Sequence, residues 1–258
     1  MIKYIKGFLR YRFLLGELVK KGIKLKYRRS YLGIVWSLIE PILTTIVLVA
    51  VFGTLFNNTE KTYPLYIICG RLIYSFFSAG TKAASSSIRR NASMIQKVYV
   101  PKYLYPLADV LFNYLIFFIS LAVLILIMIY SRTAPTLLIW QVIPALIFLL
   151  LLTTGVGLFL CTLTVYFRDM EYLWNVSLML IMYMSAIFYY PERIMNSGVS
   201  WLLKYNPLFC VIDMFRGGVM GYQASMWDFG YCGVSCVAVL VVGTYIFWKK
   251  QDDFLLHL

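Results

Sequence analysis

Apolar stretches long enough to cross a bilayer, about 20 residues each, alternate along this chain with short polar or basic connections. An amphipathic unit precedes the first of them. At about 100° per residue, residues 3–21 gather Tyr4, Phe8, Tyr11, Leu15, Leu18 and Val19 in one sector, with Lys3, Lys6, Arg10, Glu17, Lys20 and Lys21 opposite. A helix this charged is expected to lie in the headgroup plane with its basic face towards water; the alternative is a helix docked on the bundle. Gly22 breaks the pattern, and Lys24, Lys26, Arg28 and Arg29 follow as a basic collar. Residues 33–56, 64–87, 104–130, 137–165 and 172–190 read as five spanning helices, and 227–248 as a sixth, stopped by Lys249 and Lys250. Residues 191–222 are apolar but interrupted by Pro191, Gly198, Pro207, Gly217 and Gly218. Two short helices that enter the outer leaflet and return fit this pattern, as does a folded external loop. A re-entrant backbone must be buried in protein, because unpaired peptide groups are too costly in lipid. The pattern therefore predicts an all-α integral membrane protein in one domain, residues 1–258. It has an interface helix with its collar (1–32), spans one to five (33–190), a re-entrant outer-side segment (191–222), and span six with a tail (223–258).

Composition agrees. Hydrophobic residues make up 61% and charged residues 14%, too few charges for a water-facing surface of this size. The net charge of +13 would suggest nucleic acid in a soluble protein, but here the cations flank apolar segments. Anionic headgroups and topology explain them better, so membrane lipids and not nucleic acid are the expected contact. Eighteen of the 24 Lys and Arg fall in 1–32, 82–102, 166–171 and 249–258. The positive-inside rule then places both termini in the cytoplasm, in a multi-pass protein of the plasma or inner membrane. Residues 1–30 lack an unbroken apolar core, so no cleavable signal peptide is expected. Cys69, Cys161, Cys210, Cys232 and Cys236 sit in apolar surroundings without C-x-x-C spacing, and read as buried small hydrophobes rather than metal ligands.

The lone histidine, His257, gives little scope for acid–base catalysis or a metal cluster, and no P-loop motif is present. Acidic residues inside the spans are almost confined to Glu40 and Asp109, towards the cytoplasmic ends. Ion-coupled carriers usually need such groups near mid-membrane, so energy for uphill movement is expected from another subunit.

Four segments stand out. Tyr27–Trp36 (YRRSYLGIVW) runs from the collar into the first span, and Glu40-Pro41 follows where the proline can kink it. Arg89–Val98 (RRNASMIQKV) reads as a short cytoplasmic helix ended by Pro101; its apolar face of Met94, Ile95 and Val98 needs a cover, from this chain or from a partner. Tyr166–Glu171 (YFRDME) sets Arg168 and Asp169 at a helix junction. The interrupted segment carries Tyr189-Tyr190-Pro191, then Asn206-Pro207, then Arg216. In this order and register, over nearly the whole chain, these segments resemble the membrane subunit of ABC-type polysaccharide exporters, the permeases for O-antigen, capsule, teichoic acid and rhamnan-type glycans. Arg71 departs from that family, whose second span usually reads as apolar; it either snorkels to the outer interface or faces the pore, where it could meet phosphate or acidic sugars.

The resemblance implies a homodimer, each copy binding one ATPase subunit that carries ATP and magnesium, so no cofactor is expected in this chain. It implies that Arg89, Arg90, Asn91, Met94, Ile95, Lys97 and Val98 form a coupling helix, with Arg168 and Asp169 as a second ATPase contact. It implies a pore between the copies, lined by the first and fifth spans, for a lipid-linked glycan. Trp36, Phe52, Tyr183, Phe188 and Tyr189 are the candidate sugar-stacking residues there, with Arg71 beside them; aromatic enrichment at membrane interfaces is the plainer account. An ABC exporter of a drug or small lipid and a lipid- or glycan-modifying membrane enzyme are the competing readings. The enzyme reading lacks convergent acid–base groups.

Overall fold

The computed structural model describes residues 2–28, 30–56, 60–97, 100–195, 198 and 200–254, with the backbone alone at 2–10, 193 and 194. Among these the chain is helical, with turns and no strand. Four helical stretches are long and apolar enough to cross a membrane: 33–55, 104–130, 137–166 and 226–253.

Helix α1 (Ile2–Tyr27) runs through Gly22, where the sequence pattern predicts a break. The glycine is a contact position rather than a stop: a Cβ there would lie 3.1 Å from the Phe112 ring. Leu15 and Val19 are buried against Leu104, Ala108 and Phe112, flanked by Tyr11 and Leu18. Much of the apolar face expected to meet headgroups is thus occupied by the bundle. The Tyr4 and Phe8 side chains lie outside the described residues.

A short turn over Gly33–Val35 leads into α2 (Trp36–Leu55). Pro41 inside α2 has no N–H to give to the Ser37 carbonyl four residues earlier. The Ser120 hydroxyl supplies the missing donor at 2.9 Å, and the Thr45 hydroxyl bonds Pro41 O at 2.7 Å. Ser120→Ala is expected to lower stability by about 1 kcal/mol. The loss should shrink in a Pro41→Ala background, where the restored N–H serves Ser37; a double-mutant cycle on thermal unfolding in detergent reads the coupling.

Helix α3 (Tyr63–Arg90) is the hub of the bundle. Its apolar positions Leu65, Ile68, Leu72, Ile73 and Phe76 are all buried in the main core. A one-turn helix α4 (Ala92–Ile95) follows after Asn91. Arg89 and Arg90 therefore end α3 instead of opening a separate helix, and Val98 lies outside the described residues. Helix α5 (Leu104–Tyr130) follows as expected. A tight helical turn at Leu137–Gln141 precedes α6 (Val142–Tyr166).

The expected fifth span is shorter: α7 (Met170–Tyr183) covers 14 residues, about 21 Å. Residues 184–190 are irregular, with Ala186 at φ +46°. Side chains from other elements claim carbonyls that a continuing helix would use for itself: Asn206 Nδ2 donates to Met184 O, and the Tyr63 and Tyr66 hydroxyls donate to Phe188 O and Ala186 O.

Two single-turn helices, α8 (Glu192–Met195) and α9 (Trp201–Lys204), precede α10 (Pro207–Met220). Asn206 caps α10 by accepting from Leu208 N at 3.0 Å, and Pro207 takes the first position, where no donor is needed. Gly221, at φ +84°, closes it in the left-handed conformation. Most of α10 is buried, from Leu208 to Ile212 and from Met214 to Val219. Helix α11 (Met226–Lys250) lies along α6 and ends in a turn at Gln251–Asp253.

Candidate functional site

Three clusters collect the chemistry-bearing residues. The first clamps residues 184–190. Arg216 is fully buried, and its guanidinium donates to Tyr66 O (3.2 Å), Ala186 O (3.0 Å) and Ile187 O (3.2 Å). Its central carbon lies 3.6 Å from the Tyr66 ring centroid, so carbonyl dipoles and a π face replace water around the charge. Gly70 makes the room: a Cβ there would fall 2.6 Å from Arg216 Nη2. Phe188 is buried, stacked on Phe52 at 4.7 Å. Tyr189 donates to Tyr183 O at 2.6 Å, and Tyr183 is half-exposed. Four predicted channel residues, Phe52, Tyr183, Phe188 and Tyr189, thus form one aromatic group, in which Phe188 presents almost no free surface.

The other two, Trp36 and Arg71, line a separate, partly open cavity of about 190 Å³ between α1, α2, α3 and α5. Lys26, Glu40, Ser75 and Asn113 share its wall. Burial pushes the Lys26 ammonium below its ordinary pKa, and the neighbouring Glu40 carboxylate opposes that shift.

The third cluster sits at the Arg90 end of α3. Arg89 Nη1 donates to Glu171 Oε1 at 3.0 Å, tying α3 to α7. Arg90 pairs with Asp109 of α5. The two predicted ATPase contacts therefore adjoin, with Arg168 and Asp169 exposed beside the pair. Asn91 ends α3, its amide donating to Ser87 O. Ile95 is buried against Phe247, Phe254 and Val165, with Met94 partly covered beside it. The Met94 and Ile95 part of the apolar face thus has a cover within the chain, and Ser93, Gln96 and Lys97 are exposed instead. Sequence reasoning singled out Arg216 only as part of a motif and missed Glu171 as the partner of Arg89; the acidic residue at the start of a helix facing a basic loop was its one visible signal.

A bundle with four helices long and apolar enough to cross a membrane, and with irregular backbone buried beneath polar side chains, defines a polytopic membrane protein. Residues 14–220 match the ABC-2 type transporter family, and the chain belongs to it. It is 28% identical over 259 residues to the O-antigen export system permease protein RfbA of Klebsiella pneumoniae, covering 98% of this chain and 97% of that protein. The Myxococcus xanthus protein of the same name is 26% identical, covering 98% of each chain. The polysialic acid transport protein KpsM of Escherichia coli is 22% identical, covering 96% of this chain and 98% of its own length.

Proposed function

We propose that this chain is the membrane subunit of an ATP-driven exporter that carries a lipid-linked polysaccharide from the cytoplasmic to the outer side of the plasma membrane. Family membership supports transport. Similarity along nearly the whole chain to O-antigen and polysialic acid export proteins supports a glycan cargo over a drug or small lipid. In this reading the chain crosses six times, α3 and the α7 region adding to the four apolar stretches, and α8 to α10 form the re-entrant element. Both termini face the cytoplasm, as the Lys and Arg distribution supports.

The observation that carries the coupling is the Arg89–Glu171 ion pair, which joins two charged connections at one end of the bundle. Both side chains are about one-third exposed (36% and 35%), so the pair sets register and adds little stability, about 0–1 kcal/mol. An ATPase subunit docked on α4 would move α3 and α7 together through it. Two copies of the chain would pair through the exposed apolar faces of α2 (Leu43, Val47, Val51) and α7 (Leu173, Val176, Leu180), leaving the pore between them. Each copy would hold one ATPase subunit, which binds ATP and magnesium and performs the hydrolysis.

Truncating Ile95 would test packing as much as docking, because it is buried. The sharper variant is Lys97→Glu with Arg168→Glu, both at exposed positions. It is expected to reduce co-purification of the ATPase and glycan export at least about tenfold, roughly 1.4 kcal/mol at the interface, with the permease's size-exclusion profile unchanged. Full retention of both activities would remove the coupling assignment. A wild-type chain that never co-isolates with a P-loop ATPase would sink the export reading itself.

A further inference from the structure

Arg71 lies two turns into α3 from its Tyr63 end, in a stretch otherwise apolar or aromatic from Tyr63 to Tyr74. With α3 taken as a span, as proposed above, an ionisable side chain in this stretch points to a binding site, because isolated charge in the membrane is costly. Arg71 takes part in no ion pair among the described residues; its nearest aromatic partner is Tyr74, with the ring centroid 5.9 Å away. It shares the cavity wall with Lys26, which is also outside those ion pairs, and with a single carboxylate, Glu40. The lining therefore carries two cations against one anion. Arg71, Ser75 and Ala79 follow at i, i+4 and i+8, setting the guanidinium, a hydroxyl and a small side chain along one line of α3. Trp36 supplies an aromatic wall. The volume, about 190 Å³, suits a phosphate or diphosphate group.

We propose that this cavity binds the phosphoryl head of an anionic lipid. Arg71 would meet two phosphoryl oxygens with its planar fork. Lys26, at the end of α1, would close the charge from the other side, and Ser75 would donate to a third oxygen. The acyl or prenyl tail would leave the cavity between two of the helices that line it. The cavity is distinct from the aromatic group around Phe188, so it positions a lipid head and does not conduct the glycan. That the lipid could be the anchor of the cargo rests on the export reading; the binding itself does not.

The test uses the full chain, purified in detergent without any ATPase, and native mass spectrometry to count retained lipid. The probes are phosphatidylglycerol, a polyprenyl phosphate, phosphatidylcholine and inorganic phosphate. Wild type is expected to retain the two anionic lipids at least about tenfold over phosphatidylcholine, a difference of roughly 1.4 kcal/mol. Arg71→Gln with Lys26→Gln is expected to abolish that preference, and Arg71→Lys to keep part of it while melting at the wild-type temperature. Preference for the polyprenyl phosphate over phosphatidylglycerol identifies the cargo anchor; equal retention identifies a bulk lipid, and both uphold the site. Undiminished preference in the double glutamine variant overturns the proposal, as does retention of inorganic phosphate with no lipid. Failure here leaves the ATPase co-purification result untouched.

Discussion

Arg216→Lys is expected to destabilise the protein more than Arg216→Met, although lysine keeps the charge. Both variants lose the planar fork that spans Tyr66 O, Ala186 O and Ile187 O. Methionine fills much of the volume and removes the buried charge, so the desolvation of the guanidinium no longer has to be offset. Its main deficits are the Ile187 carbonyl and part of the Ala186 carbonyl, whose other donor, the Tyr66 hydroxyl at 3.0 Å, is shared with Tyr189 O at 2.8 Å. A lysine ammonium is a compact, strongly hydrated charge. It reaches fewer carbonyls and keeps less of the Tyr66 ring contact, so charge remains buried with too few partners. Arg216→Ala adds a cavity to the lost bonds and is expected to cost roughly 3–5 kcal/mol. For a chain of this size that is a fall of about 10 °C in melting temperature. Thermal unfolding in detergent, followed by tryptophan fluorescence, ranks the three variants. A lysine variant that melts with wild type would show that the clamp does not hold residues 184–190.

That clamp marks where the sequence stops being legible. The positions of α2, α5, α6 and α11 can be read to within a few residues, because each needs only a sustained apolar run and a polar stop. The end of α7 cannot. Residues 184–190 look as apolar as the helix before them, and what ends α7 is supplied from Tyr63, Tyr66, Asn206 and Arg216. Gly22 misleads for a related reason. Sequence alone reads a glycine as a helix stop, while the fold uses it to admit the Phe112 ring. Charge locates the loops proposed to meet the ATPase, but not the division of labour within them. Ile95 turns inward because Phe247 and Phe254, far along the chain, return to cover it. Arg71 is legible as an anomaly; that it shares a cavity with Lys26 and Glu40 requires the packing of four helices.

Gly243→Val is expected to separate α11 from α6 and to unfold or misassemble the protein. A Cβ at Gly243 would lie 2.1 Å from Gly155 O, and one at Gly155 would lie 2.6 Å from Leu240 Cα. Both obstacles are backbone, so no side-chain rotation relieves them and the helices must move apart. Apolar helices in lipid gain nothing by hiding apolar surface from one another, so close backbone approach carries much of their association. Overpacking at such a contact costs typically about 1–3 kcal/mol, and two branched methyls against backbone place valine at or above the upper end. The damage should also travel. Phe247 of α11 and Phe254 beyond it pack with Ile95, and Lys102 donates to Gln251 O. A displaced α11 therefore withdraws the cover from α4, the element proposed to meet the ATPase. Gly243→Val is accordingly expected to lose ATPase co-purification together with thermal stability, and Gly243→Ala to show both effects in weaker form. Gly230, in the same helix, has nothing within 4 Å of its would-be Cβ. Gly230→Ala is expected to hold or raise the melting temperature, because alanine is the better helix former by roughly 0.5–1 kcal/mol. Equal losses at positions 230 and 243 would mean that flexibility of α11, and not its contact with Gly155, is what the glycines supply.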